Sequence, residues 1–291
     1  MTELLQWQFP FLLLSCILMI GLIIGSFLNV VIYRLPIMLE REWSGQARKI
    51  LNLGEQGVTD QSTFNLMFPG SHCPVCKANI TPWQNIPVIS YFLLHRKCAN
   101  CGISIPARYP VIELATGLLT VVVILVLGLN VAGIAGCFLT WVLITLAVID
   151  HDTQLLPDEI TLPILWLGLS LNLFTTFVDF ESAFIGACAG YLTLWIVYRI
   201  FKLITGKEGM GYGDFKLLAL LGAWLGWQLL PLIILLSSFL GIAIAGILIA
   251  LGRDRSEPIS FGPCLAIAGW VALLWGNRIV LWFSDMTAGS G

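Results

Sequence analysis

Two short polar stretches interrupt a very apolar chain, and each carries a carboxylate. The first is Ile149-Asp150-His151-Asp152 and the second is Gly211-Tyr212-Gly213-Asp214. An ionisable acid at membrane depth is costly, so it marks a functional site by default. Two carboxylates about 3 Å apart cannot both ionise. Brought together, Asp150 and Asp214 would share one proton. One would then act as base on a water molecule, while the other, protonated, polarises a scissile carbonyl. Such a proton belongs to the coupled pair rather than to either residue.

The first stretch continues through Leu155-Leu156-Pro157-Asp158 and holds two further acids, Asp152 and Asp158. Pro157 is placed to start a helix. Asp158 and Glu159 would fall in its first turn, where the helix dipole favours negative charge, and that alone could explain Asp158. Asp150 could be an ordinary loop acid, but it follows directly on Leu146-Ala147-Val148-Ile149. Around the second acid, four glycines fall within residues 206–213. They permit non-helical backbone next to the membrane, which is tolerated only against protein or a wet cavity. An extended peptide could approach there. Gly-x-Gly-Asp is a weak signal alone, and a glycine turn before a helix explains it equally well. No strand precedes it, so it is not a nucleotide-binding fingerprint.

A second constellation is built of cysteine. The chain has eight cysteines, and Cys16, Cys137, Cys188 and Cys264 sit singly in apolar segments as small packing residues. Cys73-Pro-Val-Cys76 and Cys98-Ala-Asn-Cys101 are different. Two C-x2-C pairs separated by 21 residues come close to the four-thiolate zinc spacing. His72 is a spare ligand candidate that reads as a neighbour. A closed four-cysteine site leaves no position for a water, so this zinc would be structural.

These residues need elements to hold them. The chain has 291 residues, is 58% hydrophobic and 11% charged, and has a mean hydropathy of +0.90. A soluble domain carries about a quarter charged residues. The expected class is therefore an all-α polytopic membrane protein. A net charge of −2 gives no reason to expect nucleic acid. The first apolar stretch has no basic flank and no small-residue cleavage site, so it reads as a retained span rather than a signal peptide. Apolar runs suggest about eight transmembrane helices, near 11–33, 110–129, 132–149, 160–178, 182–204, 214–229, 230–251 and 261–283. Residues 1–35 form the first of these. Residues 36–108 form a polar, zinc-binding insert between helices one and two, and 109–291 form a seven-helix membrane domain.

Lys and Arg concentrate in cytoplasmic loops. Arg34, Arg41, Arg48, Lys49, Lys77, Arg96, Lys97 and Arg108 fall in or beside 36–108, which puts that insert in the cytoplasm and the N-terminus outside. Arg199, Lys202, Lys207, Lys216, Arg253 and Arg255 fall in or beside later inside loops, leaving only Arg278 towards the outside. Two complete spans then separate Asp150 from Asp214, so both emerge on the cytoplasmic face. In the reducing cytosol, structural disulfides are not expected, which again favours metal for the paired cysteines.

Taken together, the motifs resemble those of the type IV prepilin peptidases, membrane aspartic proteases of the GxGD type. The resemblance rests on Gly25-Ser26-Phe27-Leu28-Asn29-Val30-Val31-Ile32-Tyr33-Arg34-Leu35-Pro36, the paired cysteines with Pro82-Trp83-Gln84-Asn85-Ile86-Pro87, and Ala107-Arg108-Tyr109-Pro110-Val111-Ile112-Glu113. It continues through residues 149–158 and Gly209-Met210-Gly211-Tyr212-Gly213-Asp214-Phe215-Lys216 to Phe261-Gly262-Pro263. It implies a bifunctional enzyme of the bacterial inner membrane, serving type IV pili or type II secretion. Such an enzyme cuts a short basic leader from prepilins or pseudopilins after a glycine. It then methylates the new N-terminal residue with S-adenosylmethionine. The family's catalytic acids fall on Asp150 and Asp214, with Asp152 and Asp158 as supporting acids that tune the pair or bind the leader. The methyl-donor site points to 36–108, where Glu42, Trp43 and Asn85 are candidates. Asn29 reads as a helix-packing residue. No G-x-G-x-x-G fingerprint supports a soluble-type cofactor fold.

Two other readings use the same residues. A secondary transporter would use the acids as proton or cation sites, but no internal repeat is visible and the acids sit at one face. A non-enzymatic assembly factor would use the cysteine insert for docking.

Overall fold

The computed structural model describes residues 2–51, 64–207, 209–252 and 260–288; Arg253 and Arg255, used above for orientation, lie outside them. The described residues are helical apart from connections, and they contain no strand, only the isolated bridges His72–Asn79 and Lys97–Ser104. The chain divides into two compact units, residues 1–122 and 123–291.

In the first unit, α1 runs over Thr2–Ile50. It continues past residue 35, where the polar insert was expected to begin. The stretch from Glu40 to Lys49 is rich in Glu, Arg, Gln and Ala, all good helix formers. Gln46 donates to Glu42 Oε1 one turn back, at 3.2 Å. A short helix, α2 (Ile89–Leu93), lies between the two cysteine turns, and α3 (Arg108–Leu127) begins in this unit. Helices α1 and α3 pack closely: a methyl group on Gly25 would lie 2.7 Å from the Glu113 Cα. Asn29 Nδ2 donates to the Tyr109 carbonyl at 3.2 Å. The buried Arg34 donates to the carbonyls of Asn65 at 2.9 Å and Pro69 at 2.6 Å, tying the 65–69 segment to α1. Glu113 Oε2 accepts the Val88 N–H at 2.7 Å.

The second unit contains α4 (Val131–Thr153), α5 (Asp158–Asn172), α6 (Phe180–Thr205), α7 (Tyr212–Leu225), α8 (Leu230–Ala250) and α9 (Gly262–Ala288). Helix α7 is the core. It is buried without interruption from Leu217 to Leu225 and is packed by α5, α6 and α9. Where it crosses α6, a methyl on Gly222 would overlap the Gly186 carbonyl, and one on Gly190 would lie 2.6 Å from the Leu218 carbonyl.

Six described helices, α1, α3, α4, α6, α8 and α9, are long and apolar enough to cross a membrane. The eight apolar runs all become helices, but α5 and α7 have only 15 and 14 residues. At about 1.5 Å per residue they reach roughly 22 Å, against a hydrocarbon thickness of about 30 Å. Both end inside their apolar runs for a polar reason. The fully buried Asn172, last residue of α5, donates to the carbonyls of Ala223 at 2.9 Å and Trp224 at 3.1 Å near the end of α7. Its Oδ1 accepts the N–H groups of Phe177 and Val178 at 3.0 and 3.3 Å. Gly226, at φ +80°, then turns the chain out of α7. Helix α7, enclosed by protein, need not match the bilayer, because its ends meet protein partners rather than lipid.

Candidate active site and metal centre

Asp150 lies in the last turn of α4, and Asp214 is the third residue of α7. Both are buried, at 6% and 7% exposure. Side-chain packing brings the two segments together. A methyl on Gly213 would lie 2.7 Å from the Leu156 Cβ, so only glycine lets the 154–157 connection press against the first turn of α7. One turn further on, Lys216 Nζ donates to both carboxylate oxygens of Asp158, at 2.6 and 2.7 Å. An aromatic cluster seats the other side of that turn on α6. Tyr198 meets Tyr212 at 5.4 Å and Phe215 at 5.6 Å between ring centres, and Tyr191 meets Phe215 edge-on at 5.9 Å.

Four acids therefore have distinct surroundings. Asp150 and Asp214 are both enclosed in the protein interior. Asp152 is exposed in the final turn of α4. Asp158 is tied to Lys216, so it acts as a strut between α5 and α7. Three neighbours of the pair escaped the sequence reading of roles. Gly262 N–H donates to Asp150 Oδ2 at 3.0 Å, and Ser260 Oγ donates to the Asp150 carbonyl at 2.9 Å. Cys264 is buried in the first turn of α9, two residues beyond Gly262. Gly262 stands in the Phe261-Gly262-Pro263 motif, but a backbone N–H carries no residue-type signature that could reveal its partner.

In the first unit, Cys73, Cys76, Cys98 and Cys101 converge, with their sulfurs all within 4.8 Å of one another. Cys73 and Cys101 are 3.8 Å apart, and Cys76 and Cys98 are 4.0 Å apart. Four sulfurs around a tetrahedral zinc, each about 2.3 Å from it, would be spaced by about 3.8 Å, so the donor set fits. The two halves are built alike. Cys73 N–H bonds the Ala78 carbonyl at 2.9 Å, and Cys98 N–H bonds the Ile103 carbonyl at 2.8 Å. Each turn closes through a left-handed residue after its second cysteine, Lys77 at φ 57° and Gly102 at φ 72°. The Asn100 side chain, followed by the Ala78 backbone, pulls the Cys76 thiol down to about 6, whereas desolvation and the neighbouring sulfurs push Cys101 up to about 11. A thiolate at neutral pH is the form a metal needs. His72 turns away, its Nδ1 2.9 Å from the Gly70 carbonyl, and is not among the clustered ligands. The candidates from the insert and α1 are on the surface: Glu42, Trp43 and Asn85 are all exposed.

Fold and site thus define a multi-pass helical membrane protein with a buried acid pair and a four-cysteine cluster. Two family models match it: the Bacterial Peptidase A24 N-terminal domain over residues 19–127 and the Type IV leader peptidase family over residues 137–246. The chain belongs to the type IV leader peptidase family. It is 54% identical over 275 residues to the prepilin leader peptidase/N-methyltransferase of Aeromonas hydrophila, covering 94% of both chains. The protein of the same name from Pseudomonas aeruginosa is 52% identical over 271 residues, 93% of each. That from Neisseria gonorrhoeae is 50% identical over 254 residues, 87% of each. No solved structure gives a significant match.

Proposed function

We propose that this chain removes the leader peptide of prepilins or pseudopilins after a glycine and N-methylates the residue so exposed, with Asp150 and Asp214 as the peptidase dyad. The observation that supports the dyad is the burial of both carboxylates on two segments distant in sequence, with the connection after Asp150 pressed against the first turn of α7 where Gly213 meets Leu156. The names of the relatives favour a peptidase and methyltransferase over a transporter.

The chemistry follows from the pair. The ionised carboxylate takes a proton from water as the oxygen attacks the scissile carbonyl carbon. The protonated partner donates a hydrogen bond to the carbonyl oxygen as it gains charge. Collapse of the tetrahedral adduct breaks the C–N bond, and the dyad returns a proton to the leaving amine. Fixed acids in a water-poor site supply this at little reorganisation cost.

The insert would hold one structural zinc on Cys73, Cys76, Cys98 and Cys101, tying its two turns into one body. S-adenosylmethionine would supply the methyl group. The enzyme would sit in the bacterial inner membrane, and the distribution of basic residues supports an N-terminus outside and acids at the cytoplasmic border. There a prepilin's apolar helix can stay in the bilayer while its basic leader projects into the cytosol. The pilus or type II secretion machinery would receive the product.

Detergent-purified protein incubated with a synthetic prepilin tests the dyad. Asp150→Asn and Asp214→Asn should each abolish leader removal while the protein stays folded. Full cleavage by either variant removes that acid from the mechanism.

A further inference from the structure

We infer that Ser260-Phe261-Gly262, at the start of α9, is the positioning element for Asp150, an inference that rests on the dyad reading above. The tripeptide holds this one residue at two places. Gly262 N–H donates to the carboxylate Oδ2 at 3.0 Å, and Ser260 Oγ donates to the backbone carbonyl at 2.9 Å. The carbonyl bond fixes where the side chain starts and the carboxylate bond fixes where it ends. Together they leave the two side-chain torsions little freedom, and Oδ1 remains for the water.

The residue types suit this task. A methyl on Gly262 would lie 2.5 Å from Oδ2 and 2.9 Å from the carboxylate carbon. Any other residue would push Asp150 away from the backbone that holds it. The N-terminus of a 27-residue helix also favours an anion at this point. Asp150 already has a conventional helix ending, because its carbonyl accepts the Gln154 N–H at 2.9 Å. The Ser260 bond is therefore not needed to satisfy that carbonyl, which argues against a purely capping role. Orientation of a reacting group is worth this care: a displacement of about 1 Å can cost on the order of 100-fold in rate.

The test is steady-state cleavage of a synthetic prepilin by the full chain in detergent, with thermal unfolding as the check on folding. Ser260→Ala should lower kcat about tenfold with KM changed less than about twofold, and Ser260→Thr should restore it. Gly262→Ala should lower kcat about 100-fold. If Ser260→Ala keeps its kcat, or loses it only in step with the folded fraction, or if Ser260→Thr is equally impaired, the positioning role is wrong. Asp150→Asn in the same assay separates the two claims. Wild-type cleavage by that variant overturns the dyad reading itself. An inactive Asp150→Asn beside unimpaired Ser260→Ala and Gly262→Ala leaves the dyad standing and removes only the positioning element.

Discussion

A carboxylate's role here is decided by what surrounds it. Asp150, Asp152, Asp158 and Asp214 were legible as a group because acids are conspicuous in apolar sequence. Their division of labour was not, because it depends on partners such as Lys216 and Gly262 that are distant or main-chain. The Asp158–Lys216 pair is part-exposed, with side chains at 47% and 27% accessibility. Its net worth to stability is at most about 1 kcal/mol, so its effect should appear in alignment of the two segments. Asp158→Lys should slow cleavage several-fold, and the double exchange with Lys216→Asp should recover most of it. A double exchange no better than the single change would mean the pair has no aligning role. The four cysteines were legible for the opposite reason, since type and spacing alone define a tetrahedral site. Metal analysis should find about one zinc per chain, lost when Cys73 or Cys98 is replaced by serine. A folded, active, metal-free preparation would retire the zinc.

Among the helices, the apolar runs located every long element, but their ends were set by single polar residues. Residues 160–178 and 214–229 read as full spans because Asn172 and Gly226 are isolated within them. Asn172 stops α5 and bridges to the end of α7 through four hydrogen bonds. At the roughly 0.6 kcal/mol typical of such bonds inside membrane proteins, Asn172→Leu should cost about 2 kcal/mol. It should lower the unfolding temperature in detergent, and an unchanged melting curve would show that the network is incidental. The opposite holds at α1, whose charged extension to Ile50 falls within the polar insert of the sequence because polarity masks strong helix formers. The crossing of α6 and α7 is less forgiving than either. Gly222→Leu would drive a side chain into the Gly186 backbone at a cost of about 3 kcal/mol or more. Loss of folded protein on expression is the expected result.

For the molecule as a whole, composition identified the class, and basic residues supplied an orientation that a helix inventory alone does not. Reporter fusions should place residues 36–108 and 205–213 in the cytoplasm and the Asp179 turn outside. A cytoplasmic signal at Asp179 would overturn the proposed sidedness. The short α5 also touches its surroundings, since Trp166 and Leu162 are 65% and 41% exposed. An exposed apolar flank only about 22 Å tall does not match an ordinary bilayer, and acyl chains beside it must shorten or tilt at some energetic cost. Lipid next to α5 should therefore be locally pinched, shortening the distance between water and the buried acids. Proteoliposomes made from short-chain lipids should accordingly cleave substrate faster than long-chain ones at equal protein content.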